Sequence, residues 1–217
     1  ITLSRLKPLV IYVYLCSKKQ MNSFEELFFS LGVSWQNSVI LPFVLLLFMG
    51  FVTGFLFWRK IKLVYVRWFL LLLFSILPAG VYFAFYPIYH SDINNDYRVV
   101  YVDSASVKSK STLEIIVLPN CPFCLQSIEM IVQLKKRKPE LPVVYKILSK
   151  KGRGGDIEPQ LKKNQIDYNF ISNNSELRKI TKGSFPTFLF YKKENSEAKA
   201  WDNNSFGTMA LDYIEDH

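Results

Sequence analysis

Residues 113–124 read Leu-Glu-Ile-Ile-Val-Leu-Pro-Asn-Cys-Pro-Phe-Cys. The first six residues are a short, nearly all-apolar run, as expected for a central strand buried on both faces. Pro119 and Asn120 interrupt it. From Cys121 to about Lys138 the apolar residues Leu125, Ile128, Ile131, Val132 and Leu134 fall on one side of a helix. The stretch therefore predicts a buried strand, a turn, and a helix that opens on two cysteines three residues apart.

Downstream, residues 141–148 (LPVVYKIL) predict a second strand, and residues 159–166 and 175–181 predict short helices. Residues 187–193 and 198–202 read as a hairpin around 194–197, and residues 205–214 as a last helix. This order of strands and helices over residues 111–217 is that of an α/β layer fold, a central mixed sheet flanked by helices. A Cys-x-x-Cys just past a buried strand, with Phe185-Pro186-Thr187 entering a later strand, resembles the thioredoxin superfamily. The Cys121-Pro122-Phe123-Cys124 form is most similar to glutaredoxins and some periplasmic disulfide isomerases.

That resemblance implies a redox dithiol. Residues three apart at the first turn of a helix can bring their Cα atoms to ~5–6 Å, the separation a disulfide needs. Cys121 at a helix N-terminus meets unpaired N–H groups and the positive end of the dipole, which favour its thiolate. Pro122 suits the first turn because it lacks an N–H that would go unused there. Cys124 is expected to be the buried resolving thiol. Pro186 matches the family's cis-proline, and the resemblance implies that Phe185 offers its backbone to an extended substrate strand. Read from the residues alone, the pair could also be a structural disulfide, half of a metal site or an inactive relic.

Some positions depart from the family. Thioredoxins carry a buried Asp six residues before the first cysteine, where Ile115 stands, so no carboxylate proton shuttle is predicted at that offset. Asn120 occupies the place of their Trp. The region 203–207 does not reproduce the Gly-Gly…Asp glutathione clamp of glutaredoxins, and Pro122-Phe123 contains no His or Lys to stabilise the thiolate strongly. Oxidase, reductase and isomerase directions are equally open, because direction depends on potential and partner.

Upstream lie two uncharged runs, residues 39–58 and 68–89, each long enough to cross the ~30 Å core of a bilayer. Their connector holds Arg59, Lys60, Lys62 and Arg67 and no acid, which predicts a cytoplasmic loop. Trp58 and Trp68 sit where both helices meet that face, while Trp35, Tyr86 and Tyr89 suit the opposite one. The chain is thus expected to place both its N-terminal segment and everything after Tyr89 outside the cytoplasm. Gly50 and Gly54 form a GxxxG that permits close helix approach, either within the hairpin or to a partner's helix. Before the hairpin, Ser23 and Glu26 have capping-box spacing, and Phe24, Leu27, Phe28 and Leu31 share a helical face, predicting an amphipathic helix in the outer interface. Residues 1–20 carry Arg5, Lys7, Lys18 and Lys19, and their apolar stretch 8–16 is too short to span. Met21 is an alternative start, and no cleavable or lipoprotein signal is evident around Cys16.

The expected organisation is therefore an N-terminal segment (1–38), a transmembrane hairpin (39–89), a polar linker (90–110) with a short strand-like stretch at 98–102, and a thioredoxin-like domain (111–217). Of 217 residues, 27 are basic and 18 acidic, for a net charge of +9. The lysines are scattered and no nucleic-acid motif accompanies them, so a solvated surface that tolerates anionic lipid is expected rather than nucleic-acid binding. Three cysteines and two histidines without metal-ligand spacing predict no metal and no cofactor beyond the redox-active disulfide itself. Neither span contains a cysteine that would relay electrons through the membrane, so turnover requires a separate redox partner besides protein thiol or disulfide substrates. The expected function is a membrane-anchored, extracytoplasmic thiol–disulfide oxidoreductase of a bacterial inner membrane, with its domain in the periplasm. The rival readings are an accessory subunit of a larger membrane complex that uses the fold for docking, and a redox sensor of inverted topology.

Overall fold

The computed structural model describes residues 22–58, 62–101, 109–149, 152–172, 175–193 and 197–217. Arg59, Lys60, the basic residues before 21, Cys16 and most of the 194–197 turn lie outside them. In chain order the elements are α1 (Ser23–Ser30), α2 (Trp35–Trp58), α3 (Val64–Phe85), α4 (His90–Ile93), β1 (Arg98–Tyr101), β2 (Thr112–Val117), α5 (Pro122–Arg137), β3 (Val143–Leu148), α6 (Ile157–Lys163), β4 (Asp167–Ile171), α7 (Ser175–Thr181), β5 (Thr187–Tyr191), β6 (Glu197–Trp201) and α8 (Thr208–Asp216). They form two compact units, one of 96–206 with 213–217 and one of 21–95 with 207–212.

The first unit has a thioredoxin-like core built on a mixed sheet of order β1-β6-β5-β2-β3-β4. Strands β2, β3 and β4 run parallel, and β5, β6 and β1 add antiparallel. All six residues of β2 are buried, as its apolar run required. Ile115 and Tyr145 are register partners and share one face. There α5 buries Ile128, Ile131 and Leu134, held by a contact between Ser127 and Tyr145. Ile116 faces the other way, into a cluster with Leu189, Tyr191, Ala198 and Ala200 against which Leu177 and Ile180 of α7 pack.

Two strands of this sheet differ from the sequence expectation. β4 was not predicted, because its DYNFI sequence buries little as an edge strand and carries only a weak alternation. The strand-like stretch at 98–102, expected within the linker, forms β1 at 98–101 and belongs to the sheet, pairing with β6 as the opposite edge. Lys199 secures that edge by placing its ammonium 3.6 Å from the Tyr97 ring centroid and 3.8 Å from that of Tyr213.

The second unit is a helical hairpin. Helices α2 and α3 have 24 and 22 residues, about 36 and 33 Å of rise, enough to cross a membrane. Both begin four residues before the apolar runs read from sequence, since Trp35–Ser38 and Val64–Arg67 extend them as helix. α3 ends at Phe85 rather than Tyr89, because Pro87 disfavours helix at the residue before it. Trp58 and Trp68 meet edge to face with centroids 4.7 Å apart. Most of the hairpin's apolar surface is turned outward, including Phe48, Met49, Leu56, Phe69, Leu72 and Ile76. The Asp212 carboxylate accepts from the Trp35 and Gln36 N–H groups at 2.7 and 2.9 Å, capping the start of α2.

The two glycines of the GxxxG pack inside this hairpin. A Cβ at Gly50 would collide with the Phe74 carbonyl oxygen, and one at Gly54 would lie 3.2 Å from Leu71 Cα. Pro78 explains why that carbonyl is available. Lacking an N–H, it cannot bond the Phe74 carbonyl one turn earlier, and the bare Cα of Gly50 covers it. The capping box of α1 also falls one residue earlier than the spacing suggested. It is formed by Asn22 with Glu25, not Ser23 with Glu26.

Candidate active site

Cys121 is the N-cap of α5, Pro122 its first residue and Cys124 lies in its first turn. The two sulfurs are joined as a disulfide with Cα atoms 5.2 Å apart, within the ~5–6 Å separation anticipated from residues three apart. Cys121 is half-buried while Cys124 is fully buried, so only the first sulfur is open to another molecule. The Cys124 N–H donates to the Cys121 sulfur at 3.3 Å. Once the bond is reduced, that donor and the N-terminal end of α5 both favour a thiolate at Cys121. Lys135, Lys136 and Arg137 in the last turn complement the opposite pole of the helix.

Across the site, the Phe185–Pro186 bond is cis, and the Phe185 carbonyl oxygen lies 3.9 Å from the Cys121 sulfur. Pro186 is buried, and Thr187 is fully buried with its hydroxyl donating to the Ser184 carbonyl at 2.6 Å. Phe123 is 43% exposed on the outer side of the motif. The structure thus brings Cys121, Pro122, Phe123 and Cys124 together with Phe185, Pro186 and Thr187, whereas Gly50 and Gly54 belong to the hairpin.

Two features around the dithiol, and one elsewhere in the sheet, were not read from the sequence. Asn120 accepts the Asp156 N–H at 3.3 Å, and the Pro119 carbonyl accepts that of Ile157 at 3.4 Å. Gly155, with φ +55°, makes room for both, since a Cβ there would strike the Asn120 side chain. The Gly154-Gly155 pair was the available signal for this brace. Below the motif, the Ser127 hydroxyl donates to the Cys124 carbonyl at 2.7 Å and lies 3.3 Å from the Tyr145 hydroxyl. Burial pushes the Tyr145 phenol well above its usual range, so it stays protonated and donates to Ser127. Finally, Glu114 is 3% exposed and its carboxylate lies 2.6 Å from the Lys146 ammonium. It shares the α7 face of the sheet with Ile116, one position before Ile115.

Among the described residues no three His, Cys, Asp or Glu side chains gather as a metal site would require.

No family model matches the chain, and no curated protein matches it. Among solved structures, similarity extends to a secreted Mycobacterium tuberculosis disulfide oxidoreductase described as homologous to E. coli DsbE. That match has TM-score 0.42 and 16% identity over 52% of this chain and 84% of the other. StoA from Bacillus subtilis aligns with TM-score 0.38 and 14% identity over 56% of this chain and 98% of its own. A thioredoxin-family thiol:disulfide interchange protein from Chlorobium tepidum TLS aligns with TM-score 0.37 and 19% identity over 55% and 91%. Likeness at this level carries no functional conclusion, which has to come from the site's own chemistry.

Proposed function

We propose that the chain is a membrane-anchored thiol–disulfide oxidoreductase that acts on protein cysteines outside the cytoplasm. The observation that carries this reading is the asymmetry of the pair: an accessible sulfur at a helix N-cap, bonded to a fully buried one, beside a cis-proline loop. A purely structural disulfide needs neither the exposed sulfur nor the facing carbonyl.

In the reducing direction the Cys121 thiolate attacks one sulfur of a substrate disulfide. The substrate S–S bond breaks, a mixed disulfide forms, and the departing substrate thiolate takes up a proton. Cys124, losing its own proton, then attacks the Cys121 sulfur and releases the second substrate thiolate. The substrate gains two electrons and two protons, and the chain is left as the Cys121–Cys124 disulfide. Oxidation of a substrate dithiol is the same sequence in reverse. Either direction requires a separate dithiol or disulfide partner to restore the starting state.

The apolar helices α2 and α3 support a two-span anchor. Arg59, Lys60 and Lys62 in the connector and Arg67 in the first turn of α3, with no acid among them, support a cytoplasmic turn with both ends of the hairpin outside. A bacterial inner membrane with the catalytic unit in the periplasm is the setting this favours.

The test uses the full chain with Cys16→Ser, so that the dithiol supplies the only thiols. Cys124→Ser is expected to accumulate mixed disulfides with other proteins that vanish when Cys121 is also replaced. A dithiol that traps nothing and exchanges with no protein disulfide would overturn the enzyme reading. After mild reduction, a membrane-impermeant thiol reagent should label Cys121 in intact cells. Labelling only after lysis would invert the topology.

A further inference from the structure

We infer that α1 is a lipid-binding element, with Phe24, Leu27 and Leu31 seated in the edge of the bilayer's acyl region on the side where α2 begins. The inference rests on reading α2 and α3 as membrane spans and is independent of the dithiol chemistry.

The residues of α1 sort into three sectors. At about 100° per residue, Leu27, Phe24 and the C-cap Leu31 fall within about 60° of arc, and they are 53%, 54% and 69% exposed, with the half-buried Phe28 bordering them. Glu26, Ser30 and Ser23 fill the adjoining arc and are also exposed, but polar. Glu25 and Phe29 lie on the far side, turned toward the hairpin. There Glu25 is buried and closes the capping box with Asn22. The Asn22 side-chain amide donates to the Tyr82 hydroxyl on α3 at 2.5 Å. Phe29 packs edge to face on Trp35 with centroids 4.3 Å apart.

This arrangement is inverted relative to a helix of a water-soluble protein, which buries its apolar arc and exposes its polar one. Here the buried arc contains a carboxylate satisfied by a cap, while three large apolar side chains face outward with no charge among them. Fully hydrated, such an arc bears the cost of keeping three large apolar side chains in water. Lipid removes that cost, and the geometry suits lipid in particular. Eight residues give about 12 Å of helix, too short to cross a bilayer. Only residues 31–34 separate α1 from α2, whose outer surface is almost wholly apolar beyond its first turn. Residues 31–38 alone therefore lie between α1 and the apolar run that begins at Val39. A polar arc directly beside an apolar one is what a helix lying in that boundary presents to water and to acyl chains.

The experiment places p-benzoylphenylalanine in turn at Leu27, Leu31, Glu26 and Phe48 of the full chain. The protein is reconstituted in vesicles of phosphatidylcholine with a minority of phosphatidylglycerol, and the photoadducts are weighed by mass spectrometry. All four positions are exposed, so the fold tolerates the label, and an unchanged far-ultraviolet circular dichroism spectrum of the reconstituted protein verifies it. Leu27 and Leu31 are expected to give phospholipid-mass adducts in about fivefold or greater excess over Glu26, approaching the yield at Phe48 inside the span. Protein-mass adducts at Leu27 and Leu31 would overturn the inference in favour of a partner subunit or a second copy. Lipid yields no higher than at Glu26 would overturn it outright. Loss of lipid adducts at Phe48 as well would remove the span reading beneath it, a failure distinct from loss at Leu27 and Leu31 alone.

Discussion

The hairpin and the sheet unit use the same side chains in opposite ways. In β2 and β5 every Leu, Ile, Val and Phe is buried, whereas α2 and α3 bury little besides Trp35, Ser38, Val39, Pro42, the two glycines, Ala79 and Tyr82. The sheet unit gains its stability by withdrawing apolar area from water. The hairpin cannot, because a lipid exterior is as apolar as leucine, so close backbone approach and internal hydrogen bonding hold it together. Residue type therefore does not determine cost of replacement in this chain. The surrounding solvent does.

The sharpest test of that difference compares two phenylalanines. Phe188 is 2% exposed and stacks on Phe206 with centroids 3.5 Å apart. Phe188→Ala should destabilise the sheet unit by about 3–5 kcal/mol in denaturant titration. Phe48 is 64% exposed in α2, and Phe48→Ala in vesicles should change hairpin stability by less than about 0.5 kcal/mol, as for a replacement away from packed contacts. Equal costs would erase the distinction.

The buried ion pair comes next in size. Glu114→Ala leaves the Lys146 ammonium without its carboxylate and should cost about 3 kcal/mol, the low end for breaking a buried pair, since Lys146 retains some solvent. Replacing both residues by Met should be near neutral by the same measurement, because the desolvation penalty of both charges disappears with their attraction. A double replacement as damaging as the single one would give the pair a role beyond this electrostatic balance.

The features legible in the sequence were the local ones. A buried strand, a proline-broken turn and two cysteines at a helix start all declare themselves within residues 112–137, and Phe185-Pro186-Thr187 needs only three residues to be noticed. What escaped notice depends on distant partners. Glu114 drew no notice within a nearly all-apolar strand, because the lysine that satisfies it lies on β3, 32 positions away. Asn120 read as a departure from a family pattern, because its partner is the backbone at Asp156. The edge strand β4 has few residues buried by its own sequence and takes its identity from pairing with β3. In the hairpin the GxxxG was visible but not its contact, since only the packed helices show Gly50 against the carbonyl that Pro78 leaves free.

That contact gives the hairpin's own vulnerable point. Gly50→Ala drives a Cβ into a backbone oxygen that cannot rotate away, and about 1–3 kcal/mol of hairpin stability should be lost in detergent unfolding, as for other overpacked sites. Gly80, on the other span, has nothing within 4 Å of its would-be Cβ. Gly80→Ala should be neutral or slightly stabilising through helix propensity. If the two replacements behave alike, close approach is not what holds α2 and α3 together.

The smallest expected effect separates the units by pH. Helix α2 carries no titratable side chain of its own. The turn that braces Asn120 is different, because Glu158 accepts from the Lys162 ammonium at 2.7 Å, the Tyr168 hydroxyl at 3.0 Å and the Gly154 N–H at 3.2 Å. These bonds, with Lys162 foremost, hold the Glu158 carboxyl below its ordinary value. A carboxyl whose folded pKa is depressed stabilises the fold above its unfolded pKa of about 4.3 and loses that contribution as pH falls through the folded value. Amide exchange protection at Gly154, Asp156 and Ile157 should therefore be flat from neutrality to about pH 5 and decline below about pH 4. Glu158→Gln should lower protection slightly at neutral pH and abolish the acid decline. A decline that persists in the variant would assign it to another carboxyl and detach Glu158 from the support of the active-site loop.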